Sequence, residues 1–404
     1  MTTNLNRRNV LKGIAGTAGL LAGAGLRPAL AASTAESGAD NPRVAVQRCT
    51  SFEPRTVRKK LDAAFDSLGG LKEKVNGKTV SIKINMTGMT WNPCCGLPPY
   101  ETYQTNPHTV AALCAALHDA GARRMVVIEN YYEDRPPEDI LADSGWDIDA
   151  IRSAGGGKVS FEDVRHAGRW SGYSRFEVPW GGFIYPAFDL NRRFEKTDVL
   201  ISLSKLKQHA CAGVTMTAKN SFGNAPTALY GNKAPGSSLV HRTKMFHGGS
   251  KDTPDGVPSE LAHDISRNQA VRVPHIVADL YAARPADLAI VEGIQTISGG
   301  EGAWNDGIGL QKPGVLLAGW DGLATDAVGT AVMGFDPRAD HGAGPFQGTN
   351  HLRLLASVGF GTIDLDEIEV VGLPLSDAVH PFASKARGYS HRGGAPCSHR
   401  AHKG

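Results

Sequence analysis

Residues 197–223, TDVLISLSKLKQHACAGVTMTAKNSFG, join an apolar run to two lysines, a histidine and then a Lys-Asn pair. Lys205 and Lys207 offer positive charge to an anionic group, and His209 is a residue type that moves protons or ligates metals near neutral pH. A desolvated lysine such as Lys219 acts as a base, forms a Schiff base or clamps a phosphate. Asn220 and the hydroxyls of Thr215, Thr217 and Ser221 raise the polar density further, and Gly213 and Gly223 punctuate the stretch. The plainer alternative is that two lysines solvate a strand end. Lys219 can equally contact a phosphate or carboxylate without covalent chemistry.

Other positions extend this set. Lys83 and Asn85 end the segment TVSIKIN and would face the same crevice if the sheet is parallel there, because ligands of open α/β sheets bind beyond the carboxyl ends of the strands. His247, in HRTKMFHGG, is a second histidine on a long connection. With His209 and an acid from Glu292, Asp321 or Asp326 it would complete a divalent-metal set, whose donor types suit zinc, nickel, iron and manganese alike. The alternatives are that His241 and His247 are loop-surface residues, that Asp326 only complements a helix dipole and that Asp321 only caps it. Adjacent Cys94 and Cys95, in WNPCCGLPPYETYQ, mark either a lid over the site or a rigid loop, and would serve a redox accessory.

The elements that must position these residues alternate strand and helix. Strands are predicted at Val44–Arg48, Val80–Asn85, Met125–Ile128, Val199–Leu203, Leu288–Val291, Val315–Ala318 and Ile368–Val371. Helices are predicted near Pro54–Leu68, with an apolar stripe at Val57, Leu61, Ala64 and Phe65, and from Pro107, capped by Asn106 and ended by Gly121. Two more follow, around Asn268–Ala282 and Leu323–Met333. Residues 150–195 read as a β-rich insertion, and Asn224–Glu260 as a long connection with a binding or lid role. The fold class is α/β, a mixed and partly parallel sheet with flanking helices, expected as two lobes (43–195 and 196–380) around a cleft.

These motifs resemble those of a widespread family, domain of unknown function 362, with a P-K-L-K-T-H element followed by V-T-L-A-x-K-N-x-x-G. Here they stand as Ser204 to His209 and Val214 to Gly223, and further blocks agree at Val80–Asn85, Thr105–Leu113, Asp287–Ile294 and Trp320–Pro337. Ser204 replaces the usual proline, Gln208 the usual threonine, and Glu292 a common aspartate. Many relatives carry a ferredoxin-like module, yet no C-x-x-C spacing occurs here, so no iron–sulfur cluster of that type is expected. The H-x-x-A-G-x5-K spacing of His209, Ala212, Gly213 and Lys219 is also similar to the nickel-pincer lactate racemases. That resemblance implies proton transfer at His209 and cofactor attachment at Lys219, although Thr217-Ala218 stands where the racemases carry Gly-Gly.

The N-terminus, NRRNVLK at 6–12 with a Gly/Ala/Leu stretch and Ala29-Leu30-Ala31, reads as a twin-arginine export signal over residues 1–32. Its apolar stretch falls short of the roughly 20 residues a bilayer span needs. The expectation is a periplasmic or exported protein that meets the twin-arginine translocase and keeps no membrane span after cleavage. Residues 33–42 read as a flexible leader and 381–404 as a basic, histidine-containing, disordered tail. With 43 basic and 40 acidic residues, nucleic-acid binding is not suggested. Six cysteines show neither a disulfide framework nor zinc spacing. The favoured reading is a cofactor- or metal-dependent enzyme doing proton-transfer chemistry on a small anionic substrate. The alternatives are a non-catalytic periplasmic binding protein for an anionic metabolite or metal, and the redox accessory.

Overall fold

The computed structural model describes residues 41–89, 92–165, 172–236, 241–261, 265–339 and 341–382. The residues expected to form an export signal and almost all of the expected tail lie outside them. Fourteen strands are found among the described residues: β1 Arg43–Arg48, β2 Thr79–Lys83, β3 Arg124–Glu129, β4 Val159–Asp163, β5 Tyr173–Glu177, β6 Ala187–Asn191, β7 Val199–Lys205, β8 Gln208–His209, β9 Gly213–Val214, β10 Leu288–Gly293, β11 Thr296–Ser298, β12 Gly309–Gln311, β13 Val315–Gly319 and β14 Glu369–Gly372. Eight form one sheet, in the order β14-β1-β13-β10-β7-β2-β3-β4. Only β13 runs against the others. The expected mixed, partly parallel α/β fold is what forms, and all but one strand of its main sheet run parallel.

Period-two alternation explains how the sheet is covered on both faces. Leu200 of β7 points into one core, with Val126, Ile128 and Leu317, while Val199, Ile201 and Leu203 point into the other, with Val80, Ile82 and Val127. Helices Pro54–Ser67 and Pro107–Asp119 cover the second face, and helices Gln269–Ala283 and Gly322–Val332 the first. The predicted stripe of Val57, Leu61, Ala64 and Phe65 is the buried face of the first helix. Asn106 caps the second through the amide of His108, with Pro107 at its first position.

The sheet takes strands from both sides of residue 195: β1, near the start of the described chain, stands between β13 and β14. The 150–195 region contributes a helix, the edge strand β4 and the β5–β6 hairpin. The described part of the 224–260 connection is anchored in the first core by Met245 and Phe246, which are fully buried. No helix among the described residues is long and apolar enough to cross a membrane.

Candidate functional site

Five adjacent parallel strands, β10, β7, β2, β3 and β4, end at one rim of the sheet, and two cross-strand ion pairs are built there. Lys205 and Glu292 are register partners in β7 and β10. Their side chains meet at 2.5 Å with no solvent exposure, and Lys205 also donates to Gln295 O at 2.9 Å. Lys83, the last residue of β2, meets Glu129, the last of β3, at 2.7 Å, both nearly buried. Glu129 additionally accepts the amides of Met86 and Asn130 at 3.1 and 2.8 Å. Burial pulls the Lys83 ammonium below its ordinary pKa, and Glu129 opposes the shift. These two lysines are therefore occupied by carboxylates of the protein itself.

β7 ends at Lys205, and the chain leaves the sheet there. Lys207 is fully buried and donates to Thr87 Oγ1, Tyr103 O and Glu301 O at 2.9, 2.5 and 2.9 Å. Its three protons thereby tie together the segments at 87, 103 and 301. Desolvation pushes its pKa well down, with Lys205 and Lys219 adding to the effect and Glu301 opposing it.

His209 lies in a two-residue strand that turns back as β8–β9, with Gly213 at φ +80 closing the hairpin against Phe346. A Cβ at Gly213 would sit 2.3 Å from the phenyl ring, and its backbone conformation is one that L side chains rarely adopt. The ring Nδ1 of His209 accepts the amides of Cys211 and Ala212 at 3.1 and 3.4 Å. The neutral ring accordingly carries its proton on Nε2. Burial, and then the charges of Lys219 and Lys207, hold it well below the usual histidine pKa. Glu301, 3.8 Å from Nδ1, is fixed by the amide of Ala210 at 2.8 Å and the indole of Trp304 at 3.1 Å.

Lys219 differs from the other three lysines. It sits in a five-residue helix, Met216–Asn220, that begins with Met216 at φ +68, an uncommon conformation for a residue with a side chain. Asp326 fixes this helix by accepting the amides of Thr217 and Ala218, each at 2.8 Å. Asn220, on the same turn, accepts from Asn85 Nδ2 at 3.0 Å and donates to Lys83 O and Ser202 Oγ at 3.2 and 3.0 Å. Lys219 Nζ lies 4.1 Å from the centre of the Phe222 ring, and no oxygen acceptor is found for it among the described residues. Desolvation lowers its pKa to about 8, with Glu301 and Cys211 opposing and Arg242 and Lys83 assisting.

Arg242 reaches the same Phe222 ring, at 5.7 Å, and donates through Nε to Ala225 O at 2.7 Å. Its Nη2 is buried without a hydrogen-bond partner. His247 packs edge-on to Phe222, and burial followed by the Lys219 charge lowers its ring to about 4. His351, fully buried, is pushed by the same two causes to about 3. The cluster is thus one lysine and one arginine on a phenylalanine, surrounded by neutral histidines.

The metal set expected from His209 and His247 with one acid among Glu292, Asp321 and Asp326 does not come together among the described residues. Glu292 is held by Lys205, Asp326 by two amides, and no three His, Cys, Asp or Glu side chains converge as a metal-binding group among the described residues. Asp321 is the N-cap of helix Gly322–Val332, donated to by the amide of Ala324. Cys94 is a buried free thiol that burial pushes up to about 11, and it lies 3.9 Å from the sulfur of Cys95, which is itself in a disulfide. A thiol so shifted is a weak nucleophile.

A family model described as a domain of unknown function (DUF362) matches residues 80–331, more than half of the chain. The chain belongs to this family. A search of curated proteins finds no match. The DUF362 segment contains every polar side chain described above except His351, and its Lys-Asn-x-x-Gly element acquires a physical reason. A Cβ on Gly223 would lie 2.7 Å from Lys83 Nζ and 3.0 Å from Glu129 Oε1, so the glycine lets this turn close over the ion pair. Arg242 and His351 were missed by sequence reasoning. Arg242 stands five residues before His247 in a stretch already singled out, whereas His351 opens a helix behind the cap Asn350 and offers only a helix-start signal.

Proposed function

We propose that this site binds a small anionic substrate and moves a proton on it. Lys219 and Arg242 hold the anion, and Lys219, with His209 donating from Nε2, carries the proton transfer. The observation that supports this most is the contrast among the lysines: three are satisfied by protein oxygens, while Lys219 is left on an aromatic ring with its pKa near 8. A group that titrates close to working pH is suited to acid–base work. A non-catalytic binding protein would use the same two cations without turnover.

The test is deuterium wash-in by NMR at C2 of a panel of 2-hydroxy and 2-amino acids, with thermal shift under the same ligands. Exchange abolished in both Lys219→Met and His209→Ala supports the enzyme. Ligand-induced stabilisation that disappears in Lys219→Met, without exchange in any variant, supports the binding protein. Stabilisation indifferent to Lys219 and Arg242 refutes both. We also propose export by the twin-arginine route, on the NRRNVLK signal. Arg7→Lys with Arg8→Lys should then retain the protein in the cytoplasmic fraction.

A further inference from the structure

Four features of Lys219 go beyond anion contact. Its amine has no oxygen acceptor among the described residues, it lies against an aromatic face at 4.1 Å, and its side chain is only partly exposed. Positive charge from Arg242 and Lys83 acts on it and from Lys207 it is felt in return. Desolvation together with neighbouring cations is the environment that frees a lysine amine as a nucleophile. Arg242, on the same ring, gives Nε to Ala225 O and pairs with Tyr132, which leaves its buried Nη2 as the nitrogen placed to hold a carboxylate oxygen.

Resting on the anion-site reading, we infer that Lys219 forms an imine with the carbonyl carbon of a 2-oxo acid whose carboxylate is held by Arg242. The ammonium first gives up one proton, which passes through solvent to the carbonyl oxygen, and the amine lone pair attacks the carbonyl carbon, forming the C–N bond as the C=O π bond breaks. The carbonyl oxygen then leaves as water, taking two protons from the nitrogen of the starting ammonium, and one proton remains on the iminium. No oxidant or reductant enters the step. His209 Nε2–H is the donor available to the departing oxygen, and the positive iminium nitrogen acidifies the adjacent carbon, which is how this chemistry would serve proton transfer.

The experiment treats the purified full chain separately with glyoxylate, pyruvate and 2-oxoglutarate in the presence of sodium cyanoborohydride, followed by intact mass and peptide mapping. The expected result is one reduced adduct per chain, at Lys219, with at least one of the three acids, absent in Lys219→Arg and reduced more than tenfold in Arg242→Gln. Circular dichroism and melting verify that both variants fold, and the charge-retaining Arg242→Lys should recover part of the adduct. Adducts scattered over surface lysines and unchanged in Lys219→Arg overturn the imine, as does the absence of any adduct with all three acids. If these acids still raise the melting temperature without an adduct, the imine falls and the anion site stands. If they do neither, the anion-site reading falls with it.

Discussion

Replacing Lys83 with methionine removes one half of a buried ion pair and leaves the other half in place. Such deletions cost about 3–5 kcal/mol, because an uncompensated buried charge remains. Here Glu129 would keep the amides of Met86 and Asn130, which places the cost toward the lower end. Glu129→Gln behaves differently. The orphaned ammonium keeps Ile84 O at 2.7 Å and Asn220 Oδ1 at 3.4 Å, and its pKa is already depressed by burial. Without the glutamate that pKa falls further, so the folded state binds fewer protons than the unfolded one between the two values. Stability of this variant should therefore rise with pH across that window. The double variant Lys83→Met/Glu129→Gln buries no charge but turns the glutamine NH2 toward the amide of Met86 or Asn130, which loses its acceptor at a cost of about 1–3 kcal/mol. Urea unfolding of the four proteins at pH 7 should show the double variant no less stable than either single one, with a coupling above about 2 kcal/mol. Single losses that add to the double loss within about 0.5 kcal/mol would refute the pairing as the organising interaction of this rim.

Four further outcomes follow from the same geometry. Anion affinity that depends on Lys219 should decline as pH rises through about 8. Because its folded pKa is depressed, Lys219→Met should raise the melting temperature at pH 7 by a margin that shrinks between about pH 8 and the unfolded lysine value, which a pH series of melting curves measures. Gly223→Ala should destabilise by about 1–3 kcal/mol in urea, since the new methyl group meets the Lys83–Glu129 pair, and the loss should be smaller in Lys83→Met. Asp326→Asn turns an amide donor toward the N–H of Thr217 or Ala218. It should cost about 1–3 kcal/mol and speed hydrogen exchange across 216–220, whereas unchanged exchange there would mean that Asp326 does not hold the helix.

Much of the fold is legible in the sequence, because strands covered on both faces and capped amphipathic helices are local signals. β10 begins at the predicted Leu288, and Asn106 and Pro107 start their helix as read. What is not local is which strand lies beside which. Lys83 and Lys205 read as ligand-binding cations until β3 and β10 are placed next to β2 and β7, bringing Glu129 and Glu292 to them. The same adjacency removes Glu292 from any metal set. Lys219 and His209 were identifiable by residue type, but the tautomer of His209 depends on two amides whose direction is set by a tight hairpin. Arg242 and His351 enter the cluster through tertiary packing alone.

The strands flanking the family segment set a boundary for anyone dissecting the protein. DUF362 spans 80–331, yet β1 and β14 lie outside it and β1 covers the whole length of β13. Trimming the chain to the matched residues would bare the backbone edge of β13, and an uncovered edge strand is a template for aggregation. An insoluble 80–331 fragment would therefore report a cut made through the middle of a sheet, and would say nothing against the proposed role of its rim.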